Sequence, residues 1–94
     1  MNAGDLVLNI AVNLNRISRF AMDGNEKRMN FFIHENDKYI SEVNNLKLSS
    51  NFKKTFNKFR SDMLKLKNTN KYDDEWSEEV LTWANILTHR AKLA

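Results

Sequence analysis

The stretch Asn51–Lys67, NFKKTFNKFRSDMLKLK, decides the fold. Its apolar residues Phe52, Phe56, Phe59, Met63 and Leu66 recur at steps of four, three, four and three. That spacing follows the helical period of about 3.6 residues and lays all five along one stripe. A strand, with its period of two, would divide them between opposite faces. Between them stand six basic side chains, Lys53, Lys54, Lys58, Arg60, Lys65 and Lys67, and one acid, Asp62. The segment therefore reads as an amphipathic helix with an aromatic core face and a cationic outer face. Ser49 or Ser50 is suited to cap its start, because a hydroxyl there can accept from an unpaired backbone N–H of the first turn.

The same period runs outward in both directions. Towards the N-terminus, Val7, Ile10, Leu14, Ile17 and Ala21 form one face, widened by Leu6 and Phe20, and Met29, Ile33, Asn36, Ile40 and Val43 form another, flanked by Phe32, Tyr39 and Leu46. Towards the C-terminus, Trp76, Val80, Trp83, Ala84, Leu87 and Ala91 form the last. Pro is absent and Gly occurs only at 4 and 24, so polar turns alone separate the segments. In MDGNEK, Met22–Lys27, Gly24 suits a left-handed helix end, and Asp23 with Glu26 has the spacing of a capping box for the next helix. Asp73, Asp74 and Glu75 stand where a helix N-terminus favours negative charge, with His89, Arg90 and Lys92 near the opposite end. The expected fold is all-α: one domain over 1–94, an antiparallel up-down-up-down four-helix bundle with helices at about 4–22, 26–45, 50–67 and 74–92. An elongated pair of helical hairpins that completes its core by dimerising is the alternative. Leu8 and Val12, which lie off the first helix's main face, are the candidate oligomer surface for a homodimer. Asn36 interrupts an otherwise apolar seam and has two readings, a buried amide that sets helix pairing or a wet residue beside a slightly rotated face.

Composition excludes several chemistries. There is no Cys among the 94 residues, which removes disulfides, thiolate nucleophiles and Cys-based metal sites, and fits a cytoplasmic setting. The start, MNAGDLVLNIAVNLNRISRF, lacks a basic leader and carries Asp5, Asn9, Asn13 and Asn15 through its apolar run, so neither a signal peptide nor a membrane span is expected. Di-metal bundles need Glu three residues before His, but Phe31 precedes His34 and Ile86 precedes His89 at that step. Glu75, Glu78 and Glu79 are explained by solvation and the helix dipole. No metal and no cofactor are expected. No nucleophile elbow or Gly-rich phosphate loop is present.

Two His-centred readings remain, and both make the chain an enzyme or a phosphoryl carrier. RMNFFIH, Arg28–His34, resembles the Arg-x(4–6)-His signature of the helical HEPN nucleases. The resemblance covers seven residues and implies action of Arg28 and His34 on an RNA phosphodiester; Met29 departs from the polar residue common after that Arg. A phosphotransfer bundle would instead use an exposed His34 as phosphoryl acceptor. Asp37, one turn onward, works against this by repelling the donor.

Charge is unevenly spread beneath a net of +3: residues 1–23 sum to 0, 24–46 to −1, 47–71 to +7 and 72–94 to −3. Lys53, Arg60 and Lys67 follow one another at seven-residue steps beside the Phe seam, with Lys54, Lys58 and Lys65 outside them. Such a surface attracts phosphate backbones by counterion release, giving a nonspecific nucleic-acid reading. The seam aromatics are committed to the core and cannot stack on bases. Local balance is expected between Lys65, Lys67 and Lys71 and the acids Asp74, Glu75 and Glu78. The unbalanced pole is then Lys53, Lys54, Lys58, Arg60, Arg90 and Lys92, the candidate site for an anionic partner. The leading expectation is a non-enzymatic interaction, scaffold or regulatory module with a protein partner, and nucleic-acid association is the alternative.

Overall fold

The computed structural model describes residues 1–94 as four α-helices, α1 (Ala3–Met22), α2 (Glu26–Asn44), α3 (Ser50–Lys67) and α4 (Asp74–Arg90), with a short 3-10 turn at Ala91–Leu93. They pack into a bundle of 36 × 21 × 21 Å without strands. Each helix begins on a polar cap accepting from the backbone N–H three residues on: Asn2 from Asp5 (2.8 Å), Asn25 from Arg28 (3.2 Å), Ser49 from Phe52 (3.3 Å) and Asp73 from Trp76 (3.0 Å). The capping box expected from Asp23 and Glu26 is not formed. Asp23 closes α1, its N–H reaching back to Arg19 and Ala21, and Gly24 at φ 72° reverses the chain, which shifts the start of α2 to Asn25.

The helices are not spaced evenly. The backbones of α1 and α2, and of α1 and α4, approach closely, whereas α3 meets α4 more loosely. Side-chain size gives the reason. Gly4, Ala11 and Ser18 recur every seven residues on α1, and Ser77, Ala84 and Ala91 do so along α4 and into the 3-10 turn that follows it. Ser18 Oγ donates to the Ser77 carbonyl at 2.9 Å. At the other end a β-carbon on Gly4 would lie 3.1 Å from the Ala91 carbonyl oxygen. These two contacts set an antiparallel register whose midpoint falls at the buried Ala11 and Ala84. Small residues at each level let the two backbones close up.

On its other flank α4 carries Trp76 and Trp83 against α3. Trp76 Nε1 donates to the Leu66 carbonyl (3.0 Å), Trp83 Nε1 donates to Asp62 Oδ2 (3.2 Å), and the Trp83 ring meets Phe59 edge to face at 5.5 Å. Phe52, Phe56 and Phe59 continue the contact as a row of rings 5.6–5.8 Å apart. The Phe52–Leu66 stripe is thus the core face of α3, and its aromatics hold that helix at arm's length.

Asn36 is buried. Its Nδ2 donates to the Ile10 carbonyl at 3.2 Å, while Oδ1 has no partner. The amide bridges α1 and α2 midway along their antiparallel contact, which settles the two readings in favour of the buried one. No helix is long and apolar enough to cross a membrane.

Candidate anion-binding surface

The pole where α3 begins and α4 ends is built by two polar ties. Ser49 accepts from Phe52 N–H as a cap and donates through Oγ to the Leu93 carbonyl at 2.7 Å, joining the start of α3 to the last turn of the chain. Arg90 Nη1 donates to Thr55 Oγ1 at 2.8 Å. Thr55 follows Lys54 in sequence and lies one turn from Lys58, so Arg90 is tied to the stretch of α3 that carries both lysines. All three are exposed, and none forms an ion pair.

The other three predicted cations are placed elsewhere. Lys53 and Arg60 occupy the opposite flank of α3. Arg60 lines a depression with Asp37 and Ile40 of α2 and with Met63, Leu64 and Lys67. Lys92 lies past the end of α4, beside a cleft of about 750 Å³ against the start of α1, which Asp5, Leu8 and His89 also line. The expected six-residue pole is therefore divided, because α3 is wide enough to put its two basic edges on different neighbours.

The expected local balance of charge also differs. Lys67 pairs with Asp37 of α2, its Nζ 2.9 and 3.0 Å from the two carboxylate oxygens, and Lys71 reaches Asp73 at 3.9 Å. Asp74, Glu75 and Glu78 make no ion pair. Lys67 ends the flank of α3 that faces α2, so the nearer carboxylate is across that groove.

Leu8 and Val12 are 43% and 47% exposed on the outer side of α1. His34 is exposed on α2 and makes no side-chain hydrogen bond, and the Arg28 guanidinium lies over the Phe20 ring, 5.7 Å from its centroid. No three His, Asp or Glu side chains gather in a geometry that could hold a metal ion.

One cluster was outside the sequence reading. Where α1 ends and α2 begins, Phe20 and Phe32 stack at 5.7 Å with planes 5° apart, and Phe31 meets Phe32 edge to face at 5.1 Å. Arg16 lies over Phe32, 5.2 Å from its centroid. The sequence signal was Phe31, an aromatic off the apolar stripe of α2 and three residues from Arg28. No family model matches the chain, and no curated protein or solved structure matches it significantly.

Proposed function

We propose that the chain is a non-catalytic helical-bundle module that binds an acidic protein partner through Lys54, Lys58 and Arg90. The observation that carries this reading is the tie of Arg90 to Thr55, which sets the end of α4 on the stretch of α3 that carries Lys54 and Lys58, three exposed cations of which none is in an ion pair. Arg90 is already held by Thr55, so less side-chain freedom is lost when it meets a carboxylate. The absence of Cys suits a reducing, cytoplasmic setting. The test is fluorescence anisotropy with a labelled acidic peptide at low and physiological salt. Binding should weaken with salt and fall at least roughly tenfold in the Lys54→Gln/Lys58→Gln/Arg90→Gln variant, about the effect of losing one charge-assisted contact. Equal binding by the variant would discard the surface.

Two further readings have an observation behind them. Lys53, Lys54, Lys58 and Lys65 run exposed along α3 without an ion pair, which supports nonspecific nucleic-acid association. Leu8 and Val12 support self-association; a Leu8→Glu/Val12→Glu variant should then lower the molar mass read by light scattering. The His34 readings have less support, since His34 is exposed and makes no side-chain hydrogen bond that would orient its ring.

A further inference from the structure

We infer that the aromatic and arginine cluster at the α1–α2 turn is a stacking platform for single-stranded nucleic acid, with Phe31 taking a base and Arg16, Lys27 and Arg28 the flanking phosphates. This surface shares no residue with the α3–α4 pole, and it goes beyond the function proposed above.

Phe31 is 63% exposed, whereas Phe52, Phe56 and Phe59 are buried and Phe20 and Phe32 are half-buried. A ring that gains nothing from the core would ordinarily be mobile. This one is positioned by its edge contact with Phe32, which is in turn fixed by the parallel stack on Phe20. The exposed ring is thus a supported flat surface. The arginines sit on the faces of the two inner rings, where the aromatic quadrupole holds the guanidinium without using its N–H donors. Arg28 makes no side-chain hydrogen bond, and Arg16 gives one donor to Asn13 Oδ1 at 3.1 Å. Neither is paired with a carboxylate, so both retain donors for phosphate oxygens.

The cleft beside Phe31, about 550 Å³, is lined by Asn25, Lys27, Arg28, Phe31 and Phe32 and contains no acidic side chain. An exposed π-face next to free cations suits a chain that alternates aromatic bases with phosphates. An acidic peptide would satisfy the cations and leave the ring unmatched. A duplex would satisfy them too, but its bases are already stacked on one another. The reading needs no chemistry at His34.

The test is anisotropy with a fluorescent oligothymidylate, together with the ring proton shifts of Phe31 by NMR. The Phe31→Ala variant should bind roughly tenfold more weakly, in the range measured for loss of one stacked base. Arg28→Gln should lower the slope of log affinity against log salt by about one. The Phe31 ring protons should move upfield on binding, and they should do so in the Lys54→Gln/Lys58→Gln/Arg90→Gln variant as well, where the loss of three positive charges lowers only the salt-sensitive part of the affinity. Absence of binding at low salt would overturn the inference. So would equal affinity of Phe31→Ala, or loss of binding in the α3–α4 variant alone. Displacement by a polyglutamate peptide whose own affinity falls equally in Phe31→Ala would reassign the cluster to an acidic protein. Because the two surfaces are separate, any of these outcomes leaves the acidic-partner test intact.

Discussion

The two flanks of α4 solve the same packing problem in opposite ways. Against α1 it presents Ser77 and Ala84, with Ala91 just past its end; Ser77 and Ala91 meet Ser18 and Gly4, and the two backbones close on one another. Against α3 it presents Trp76 and Trp83, meeting Leu66, Phe59 and Asp62, and rings fill a wider gap. Protein interiors are packed as densely as organic crystals, so each seam is intolerant, but of different changes. The narrow seam has no room for added atoms, and the wide one has nothing to collapse into when a ring is removed. The difference also bears on function. The helix held by large side chains, α3, carries Lys54 and Lys58 of the candidate surface, and α4, which belongs to both seams, supplies Arg90.

The largest expected effect tests the wide seam. Phe59 is fully buried between Phe56 and Trp83, and Phe59→Ala should lower unfolding free energy by about 4 kcal/mol, the middle of the range for buried aromatic truncations. Urea denaturation followed by Trp fluorescence would measure it, since Trp83 is the neighbour. A loss below about 1 kcal/mol, far under that range, would mean that α3 settles inward and that its spacing is not set by aromatics.

The narrow seam should fail by growth. Ala11→Leu or Ala84→Leu inserts a branched side chain where the backbones approach closely, and a loss of about 2–3 kcal/mol is expected from overpacking. The same denaturation experiment reads it. If either variant is as stable as the parent, the small residues at 11 and 84 are not what brings α1 and α4 together.

Much of this was legible in the sequence. The four helices were readable from steps of three and four, and several ends from Ser49 or Ser50, the acidic run Asp73–Glu75 and Gly24, but not the start of α2, which Asn25 caps in place of Asp23. The division between tight and loose seams was not read, although its pattern was present, because attention to large apolar residues passes over Gly4, Ala11, Ser18 and Ser77. Small residues report how closely two helices approach only when their partners are known, and that depends on pairing rather than on either helix alone. The candidate surface was partly legible for the same reason. Periodicity put Lys54 and Lys58 outside, but whether Arg90, Arg60 or Lys92 joined them depended on the neighbours of α3. Phe31 was visible only as a departure from the stripe, and its support by Phe32 and Phe20 crosses two helices.

The third seam, α1 against α2, contains a buried amide that crosses between helices, and Asn36 separates stability from specificity. Its Nδ2 donates to a helical carbonyl, and Oδ1 is buried without a partner. A buried acceptor left unpaired costs about 1–3 kcal/mol, more than a typical hydrogen bond returns. Asn36→Leu should therefore raise unfolding free energy by about 1 kcal/mol, net of some strain at the branched side chain. If the amide also fixes the register of α1 and α2, the more stable variant will show doubled or broadened amide resonances by NMR. Sharp single resonances would leave Asn36 without that role, and a loss of stability would show that the Ile10 contact outweighs the orphaned oxygen.

The smallest expected effect asks whether an ion pair, and not the rings, holds α3. Lys67 and Asp37 form the one ion pair between helices, and it lies where α3 faces α2 rather than α4. Both side chains are more than a third open to solvent, 34% and 43%, so water screens their attraction and competes for both groups. Exposed pairs of this kind contribute about 0–1 kcal/mol. Asp37→Asn should accordingly lower stability by no more than about 0.5 kcal/mol, and raising the salt concentration should narrow the difference between the variant and the parent. Equilibrium urea curves at two ionic strengths would measure both quantities. A loss above about 1 kcal/mol, beyond what an exposed pair supplies, would mean that α3 leans on α2 through charge. In that case the wide seam with α4 would be a consequence of where the ion pair holds the helix, and the rings would fill a gap they did not set.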